Sequence, residues 1–228
     1  MVIFFFLLNQ IIIFLTIGNG TNSEWDTKNA LNTVQNNLKF VKDETTKIGI
    51  SKVSIITHFM KLYEENILEK EILSKLRVSL IHGDCNDYNI IVNETNDDAV
   101  GFIDFGDIGS SYLVGDLSIA LAYVMMHFCG DSSGKQDLDQ LPTPFIKTIP
   151  FTQGYLEQLK LSDAELECIF PFIYLRLCVS SVLCSRTLAQ QPENEYIAIS
   201  QKGVWNLLEL FYSVSHSQAH QFFSSIAK

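Results

Sequence analysis

Residues 82–92 read HGDCNDYNIIV and residues 101–107 read GFIDFGD. Each stretch places an acid where a buried strand or tight turn favours an apolar residue: Asp84 after a His-Gly pair, and Asp104 at the end of an apolar run. Gly83 permits a tight turn that a side chain would obstruct. Asn89–Val92 and Val100–Phe105 have the length and composition of strands. The polar segment NETNDD between them suits a hairpin turn. A hairpin brings the start of its first strand beside the end of its second. Asn89 and Asp104 are therefore expected to meet at one end, with Asp84 on the loop leading in.

Two carboxylates and an amide carbonyl converging in this way form a hard oxygen donor set, without thiolates or several histidines. Such a set suits Mg²⁺ better than zinc. Magnesium takes one or two protein ligands and completes its shell with water and phosphate, so Asn89 and Asp104 suffice as metal ligands. Asp84 is then free as a catalytic base for a substrate hydroxyl, the base-plus-metal half of a phosphoryl-transfer site. The spacing H-x-D-x-x-x-x-N, followed by D-F-G, is the layout of the protein-kinase catalytic and metal loops. Here it is His82, Asp84, Asn89 and then Asp104-Phe105-Gly106. Gly83 stands where protein kinases have arginine, which argues against regulation through that arginine. Taken singly, each residue could cap a turn or bound a strand; the spacing of all three favours a site.

The rest of the chain sets the frame. With 228 residues, 47% of them apolar, it can bury a substantial core, and 18% charged residues leave no long disordered tract. The net charge is −10 and Lys/Arg residues do not cluster in the sequence, so no nucleic-acid partner is expected. Cys85, Cys129, Cys168, Cys178 and Cys184 form no CxxC pair and read as buried reduced thiols of a cytosolic protein. Residues 1–17 are apolar but for Asn9 and Gln10, barely long enough to cross a bilayer, and lack a basic flank. They are read as a signal or anchor, a buried strand or helix, or sequence foreign to the fold. The last reading goes with a cytoplasmic location, and a signal or anchor with a secreted or membrane-anchored one.

Helices are expected at Lys28–Val41, capped by Ser23 or Asp26, and at Ser51–Leu76, where apolar residues recur at three and four. A short strand is expected at Val78–Ile81, and a buried helix after Gly115 with Asp116 as its N-cap. A break follows at Gly130–Gly134, then a helix over Phe151–Leu159. Ser162 and Glu165 form a capping box before a long apolar helix over Cys168–Leu188. A final amphipathic helix or pair covers Ile197–Ile226.

HGDCNDYNIIV, GFIDFGDIGSSYLVGDLSIALAYVMM and the upstream WDTKNAL together resemble the aminoglycoside phosphotransferase family, over roughly residues 24–228. The resemblance implies an α+β fold: a protein-kinase-like C-lobe, mostly helical, with a small β-hairpin carrying the catalytic residues, over 23–228 behind an apolar segment 1–22. It implies a kinase with GTP or ATP as phosphate donor, Mg²⁺, and a small hydroxylated amine as substrate. The expected acceptor is a hydroxyl of 5-hydroxy-L-lysine, with choline, homoserine or an aminoglycoside as alternatives. Asp84 would be the base, Asn89 and Asp104 the metal ligands, and His82 a support for the loop. Asp87, Asp107 and Asp116 are candidates for substrate amines. Arg176, a cation in an apolar helix, either pairs internally or clamps a substrate carboxylate. Residues 1–81 contain neither a G-x-G-x-x-G loop nor a lysine on a convincing strand. The chain thus reads as such a C-lobe without its N-lobe, in which case a catalytically impaired binding partner is the alternative function. Turnover of the purified chain is expected to fall below the roughly 1–100 s⁻¹ of kinases; an assay with Mg²⁺, GTP or ATP and 5-hydroxylysine that reaches that range contradicts the expectation.

Overall fold

The structure is a computed structural model. It describes residues 23–96, 98–129 and 141–228, apart from the side chains of residues 195, 196 and 198–200. Segment 1–22 and the break expected at 130–134 lie outside the described residues.

The described chain is mostly helical. Helix α1 (Ala30–Asn37) ends in a short 3-10 turn, Leu38–Phe40. Neither Ser23 nor Asp26 caps it. The N-cap is Asn29, which makes no side-chain capping bond. Asp26 instead accepts from the Lys28 backbone N–H and from the Ser111 hydroxyl, so the WDTK segment is laced to a strand rather than to the helix it precedes.

Helix α2 (Lys52–Tyr63) starts where expected, with Ser51 accepting from the Ser54 N–H. It does not continue to Leu76. A π-turn over Glu64–Leu68 widens it, and Glu71 adopts a left-handed backbone (φ 54°) before the 3-10 turn Ile72–Lys75. The apolar periodicity persisted through this segment because each piece still buries one side: Ile67 and Ile72 are both in the core.

Strand β1 (Val78–Ile81) pairs antiparallel with β4 (Gly109–Tyr112), a strand that the Gly-Ser-Ser sequence concealed. The expected hairpin is a separate two-stranded sheet of β2 (Ile90–Val92) and β3 (Ala99–Phe102), with Ile90 opposite Phe102. Asn89 lies in a 3-10 turn just before β2, and Asp104 lies beyond β3. The hairpin's apolar side chains are not all core: Ile91, Val92 and Val100 are exposed.

After β4 the chain is helical again: α3 (Leu113–His127), α4 (Thr143–Lys147), α5 (Ile149–Gln158), α6 (Asp163–Gln190), α7 (Glu195–Phe211) and α8 (His216–Ile226). Helix α6 is the axis, packing against α1, α2, α3, α7 and α8. By length and composition it could cross a membrane, but its apolar stretch is largely wrapped by these helices. Fully buried Phe59, Phe145, Phe170, Tyr174, Phe211 and Phe223 knit the core, several in edge-to-face pairs such as Phe145 with Phe211 at 5.5 Å. Among the five free thiols, Cys184 is the partly exposed one.

The capping box forms as read from the sequence, Ser162 accepting from Glu165 N–H and Glu165 from Ser162 N–H. Glu165 does more than cap. Fully buried, it binds Arg77 through two hydrogen bonds of 2.8 and 2.7 Å, tying the start of β1 to the start of α6. Burial alone would raise its carboxyl; the Arg77 and Ser162 donors outweigh this and hold it below the ordinary value of 4.5. The stability this pair contributes is therefore full above about pH 4.5 and is lost as pH falls through the lower folded value. Arg77→Ala leaves the carboxylate buried and unpaired. It is expected to cost about 2–3 kcal/mol in chemical denaturation, below the usual range for broken buried pairs because the guanidinium side is wet. Glu165→Gln is expected to flatten the acid limb of the Tm–pH curve.

Candidate active site

Asp84, Asn89 and Asp104 are positioned by a closed ring of hydrogen bonds. The Asp84 N–H donates to His82 Nδ1 (3.3 Å), and His82 Nε2 donates to the Ile103 carbonyl (3.0 Å). The Ile103 N–H donates to the Asn89 carbonyl (3.0 Å), and Asn89 Nδ2 donates back to Asp84 Oδ2 (3.1 Å). Nδ1 can accept only if it carries no proton, so this geometry fixes the neutral tautomer with hydrogen on Nε2. His82 is fully buried and does not face a substrate. It is the strut between the Asp84 loop and the residue before Asp104.

Asp104 has a left-handed backbone (φ 58°, ψ 70°), uncommon for a residue with a side chain and mildly strained. Its Oδ1 accepts from the Gly106 N–H at 3.3 Å, and the residue is exposed. Asn89 directs both bonds from Nδ2 at Asp84, one to its carboxylate and one to its carbonyl, so the amide Oδ1 is left as an acceptor. An amide oxygen and an exposed carboxylate fit a hard cation that needs few protein ligands. Among the described residues, no group of three or more His, Cys, Asp or Glu is arranged to hold a metal.

Asp84 is the most heavily bonded side chain of the site. Oδ1 accepts from Tyr123 Oη (3.0 Å) and Arg176 Nη2 (2.9 Å); Oδ2 accepts from Asn86 Nδ2 (2.9 Å) and Asn89 Nδ2. Arg176 is 7% exposed, and its guanidinium lies 4.5 Å from the centre of the Trp25 ring. Burial alone would lower its pKa; Tyr123, Asp84 and Asp107 outweigh that and keep it charged. Arg176 thus forms the internal pair, and its partner is the candidate base itself.

Asp116 is not an N-cap; that position belongs to Tyr112. It sits in the first turn of α3, where its Oδ1 accepts the Gly83 N–H at 3.0 Å. Through that oxygen it braces the loop. Burial pulls its carboxyl above the ordinary 3.8, only partly offset by the Gly83 and His82 N–H groups. Gly83 needs to be glycine: its φ is +80°, and a Cβ there would lie 2.6 Å from the Asp107 carbonyl oxygen. Asp107, partly buried, accepts from the Ser23 hydroxyl at 3.4 Å. Asp87 is exposed on the turn before Asn89. The sequence reading missed Trp25, Asn86 and Tyr123. Tyr123 had a signal: it lies seven residues after Asp116, on the same face of an otherwise apolar helix.

A cavity of about 20 Å³, room for a water, separates Trp25, Gly83 and Asp107. Two larger grooves, of about 620 and 690 Å³, lie along α7, share Lys47, Lys202, Asn206 and Glu209, and contain none of the three candidate residues. The hydrogen-bond geometry, not groove size, marks the site.

Fold and loop together define a kinase-like α+β lobe. Residues 41–143, which span Asp84, Asn89, Asp104 and Asp116 but not Trp25 or Arg176, match the phosphotransferase enzyme family (APH). Among curated proteins, the chain is 30% identical to hydroxylysine kinase of Danio rerio over 162 residues, covering 69% of this chain and 41% of that protein. It is 25% identical to hydroxylysine kinase of Bos taurus over 182 residues, covering 76% of this chain and 44% of that protein. The chain therefore spans less than half the length of these relatives. Among solved structures, a microcompartment-associated aminopropanol kinase superposes with a TM-score of 0.50 at 18% identity, over 84% of this chain and 50% of that one. This likeness speaks to the fold alone.

Asp116 separates a hydrogen-bonding role from a charge role. Asp116→Ala strips the acceptor from the Gly83 N–H and is expected to cost about 1–3 kcal/mol. A carboxyl raised by folding opposes stability increasingly as pH climbs from 3.8 through its higher folded value. Asp116→Asn keeps an acceptor and removes that penalty, so at pH 7 it is expected to match or exceed wild type in thermal unfolding.

Proposed function

We propose that this chain supplies the catalytic lobe of a small-molecule kinase that moves the γ-phosphate of GTP or ATP to the side-chain hydroxyl of 5-hydroxy-L-lysine. The observation that carries this reading is the hydrogen-bonded ring that holds Asp84 against Asn89 and sets Asp104 one residue beyond Ile103. The names of the curated relatives support the acceptor. A cytoplasmic location goes with the reading, since nucleoside triphosphate is available there.

In this reading Asp84 accepts the proton of the acceptor hydroxyl as that oxygen forms its bond to the γ-phosphorus. The bond to the bridging oxygen breaks, and the nucleoside diphosphate leaves with the electron pair. Asn89 Oδ1 and the Asp104 carboxylate would hold Mg²⁺, which screens phosphate charge when bound. His82 and Asp116 keep the loop in place without touching the reactants. Asp107, beside Arg176 and the Trp25 segment, is placed to meet a substrate amine, and exposed Asp87 is a second, outer acid.

Two measurements test the reading. Asp84→Asn is expected to lower phosphate transfer to 5-hydroxylysine by about 10²–10⁴-fold, the usual worth of a general base; undiminished transfer contradicts it. Mn²⁺ titration followed by water-proton relaxation needs no turnover. Asp104→Asn and Asn89→Ala are each expected to weaken binding about tenfold or more, as loss of a ligand should, while Asp87→Asn leaves it unchanged.

A further inference from the structure

The geometry points to Arg176 as the residue that selects acceptors carrying a carboxylate: at rest it occupies Asp84, and it releases Asp84 to a substrate whose own carboxylate takes its place. This deepens the kinase reading and rests on it.

A carboxylate offers about four lone-pair positions. Tyr123, Arg176, Asn86 and Asn89 already fill those of Asp84, at 3.0, 2.9, 2.9 and 3.1 Å. A substrate hydroxyl finds no free position, so one donor must leave before the proton can move. Asn89 is fixed by its second bond to the Asp84 carbonyl, and Asn86 by accepting the Tyr88 N–H at 2.9 Å. Tyr123 rises from α3, a helix buried on most faces.

Arg176 is the under-satisfied donor of the group. Its Nη1 reaches the Trp25 carbonyl at only 3.4 Å, and its Nε is buried without a hydrogen-bond partner. A guanidinium has five N–H donors in a planar fork that matches a carboxylate through two parallel bonds. Asp84 and the Tyr123 hydroxyl, at 2.9 and 3.2 Å, share the single nitrogen Nη2, while Nη1 is weakly bonded and Nε is unbonded. A substrate carboxylate would engage two. The Trp25 ring, 4.5 Å away, can support the guanidinium through cation–π attraction while the hydrogen-bond partners along its edge change. The exchange balances charge. Arg176 trades one carboxylate for another, and Asp84 Oδ1 becomes free to accept the hydroxyl. A hydroxylated amine without a carboxylate offers Arg176 no replacement, and Asp84 stays occupied.

The test is calorimetric titration of the 228-residue chain with 5-hydroxy-L-lysine and with its decarboxylated analogue, which keeps the hydroxyl and both amines. Wild type is expected to bind 5-hydroxylysine about tenfold or more tightly than the analogue, the scale of one charge-assisted pair. Arg176→Met is expected to bind the two alike, and Arg176→Lys, which keeps charge without the fork, to retain part of the preference. A merely structural arginine would change both affinities together and leave the ratio unmoved. If Arg176→Met fails to fold, the wild-type and lysine ratios decide. Equal binding of both compounds by wild type overturns the proposal and leaves the kinase reading standing. Binding of neither overturns both.

Discussion

The site depends on the ring that runs from Asp84 through His82, Ile103 and Asn89 back to Asp84. That ring adds direct links between the Asp84 loop and the turn bearing Asp104, beyond the β1–β4 pairing and a β2–β3 ribbon of a kind that is marginal in water when isolated. The ring uses one tautomer of a fully buried histidine as a rigid spacer, so the placement of the Asp84 loop relative to the end of β3 is set by covalent geometry and hydrogen bonds of 3.0 to 3.3 Å. A second brace comes from α3: Asp116 holds Gly83 through its N–H, and Gly83 lies so close to the Asp107 carbonyl that no side chain fits. Loop, helix and turn are locked pairwise, the preorganisation that the proposed phosphoryl transfer would ask of a protein.

Around this frame the protein grades from dry to wet. On one side Asp84 is paired with Arg176, 7% exposed, under Trp25 and Tyr123. An ion pair in that setting is costly to break without a replacement partner, so at rest the arginine holds Asp84 in place. On the other side Asp104 and Phe105 are exposed. In the proposed reaction a hydrated cation and a polyphosphate would need an open approach, and an acceptor hydroxyl a defined one. The two sides of Asp84 differ in the way these needs differ.

Much of this was legible in the sequence because it is written in local spacing. The hairpin followed from alternating apolar and turn residues, and the convergence of Asn89 with the end of β3 followed from hairpin geometry alone. The Ser162–Glu165 box was legible for the same reason. What could not be read depends on contacts between distant segments. Strand β4 is glycine and serine over its first half and earns its place by pairing with β1. Asp26 looked like a helix cap and spends its carboxylate on Ser111, 85 positions away. Asp116 looked like another cap, and only the packing of α3 under the loop reveals its partner. The break at Glu71 was hidden because a π-turn and a 3-10 turn can keep the same apolar side inward.

Arg176 shows how far a single side chain can be read from sequence. Its place in an apolar helix demanded a partner, which physical reasoning supplies without coordinates. Which partner is a question of three dimensions, because the segments that meet there, the Trp25 turn, the loop at Asp84, α3 and α6, span 151 positions of chain. The match over residues 41–143 takes in the loop and Tyr123 but neither Trp25 nor Arg176. Two of the residues on the dry side of the candidate base, Trp25 and Arg176, therefore come from outside the segment that carries the motif. Chemistry common to a family can reside in the motif, while choice of acceptor resides in the residues folded against it.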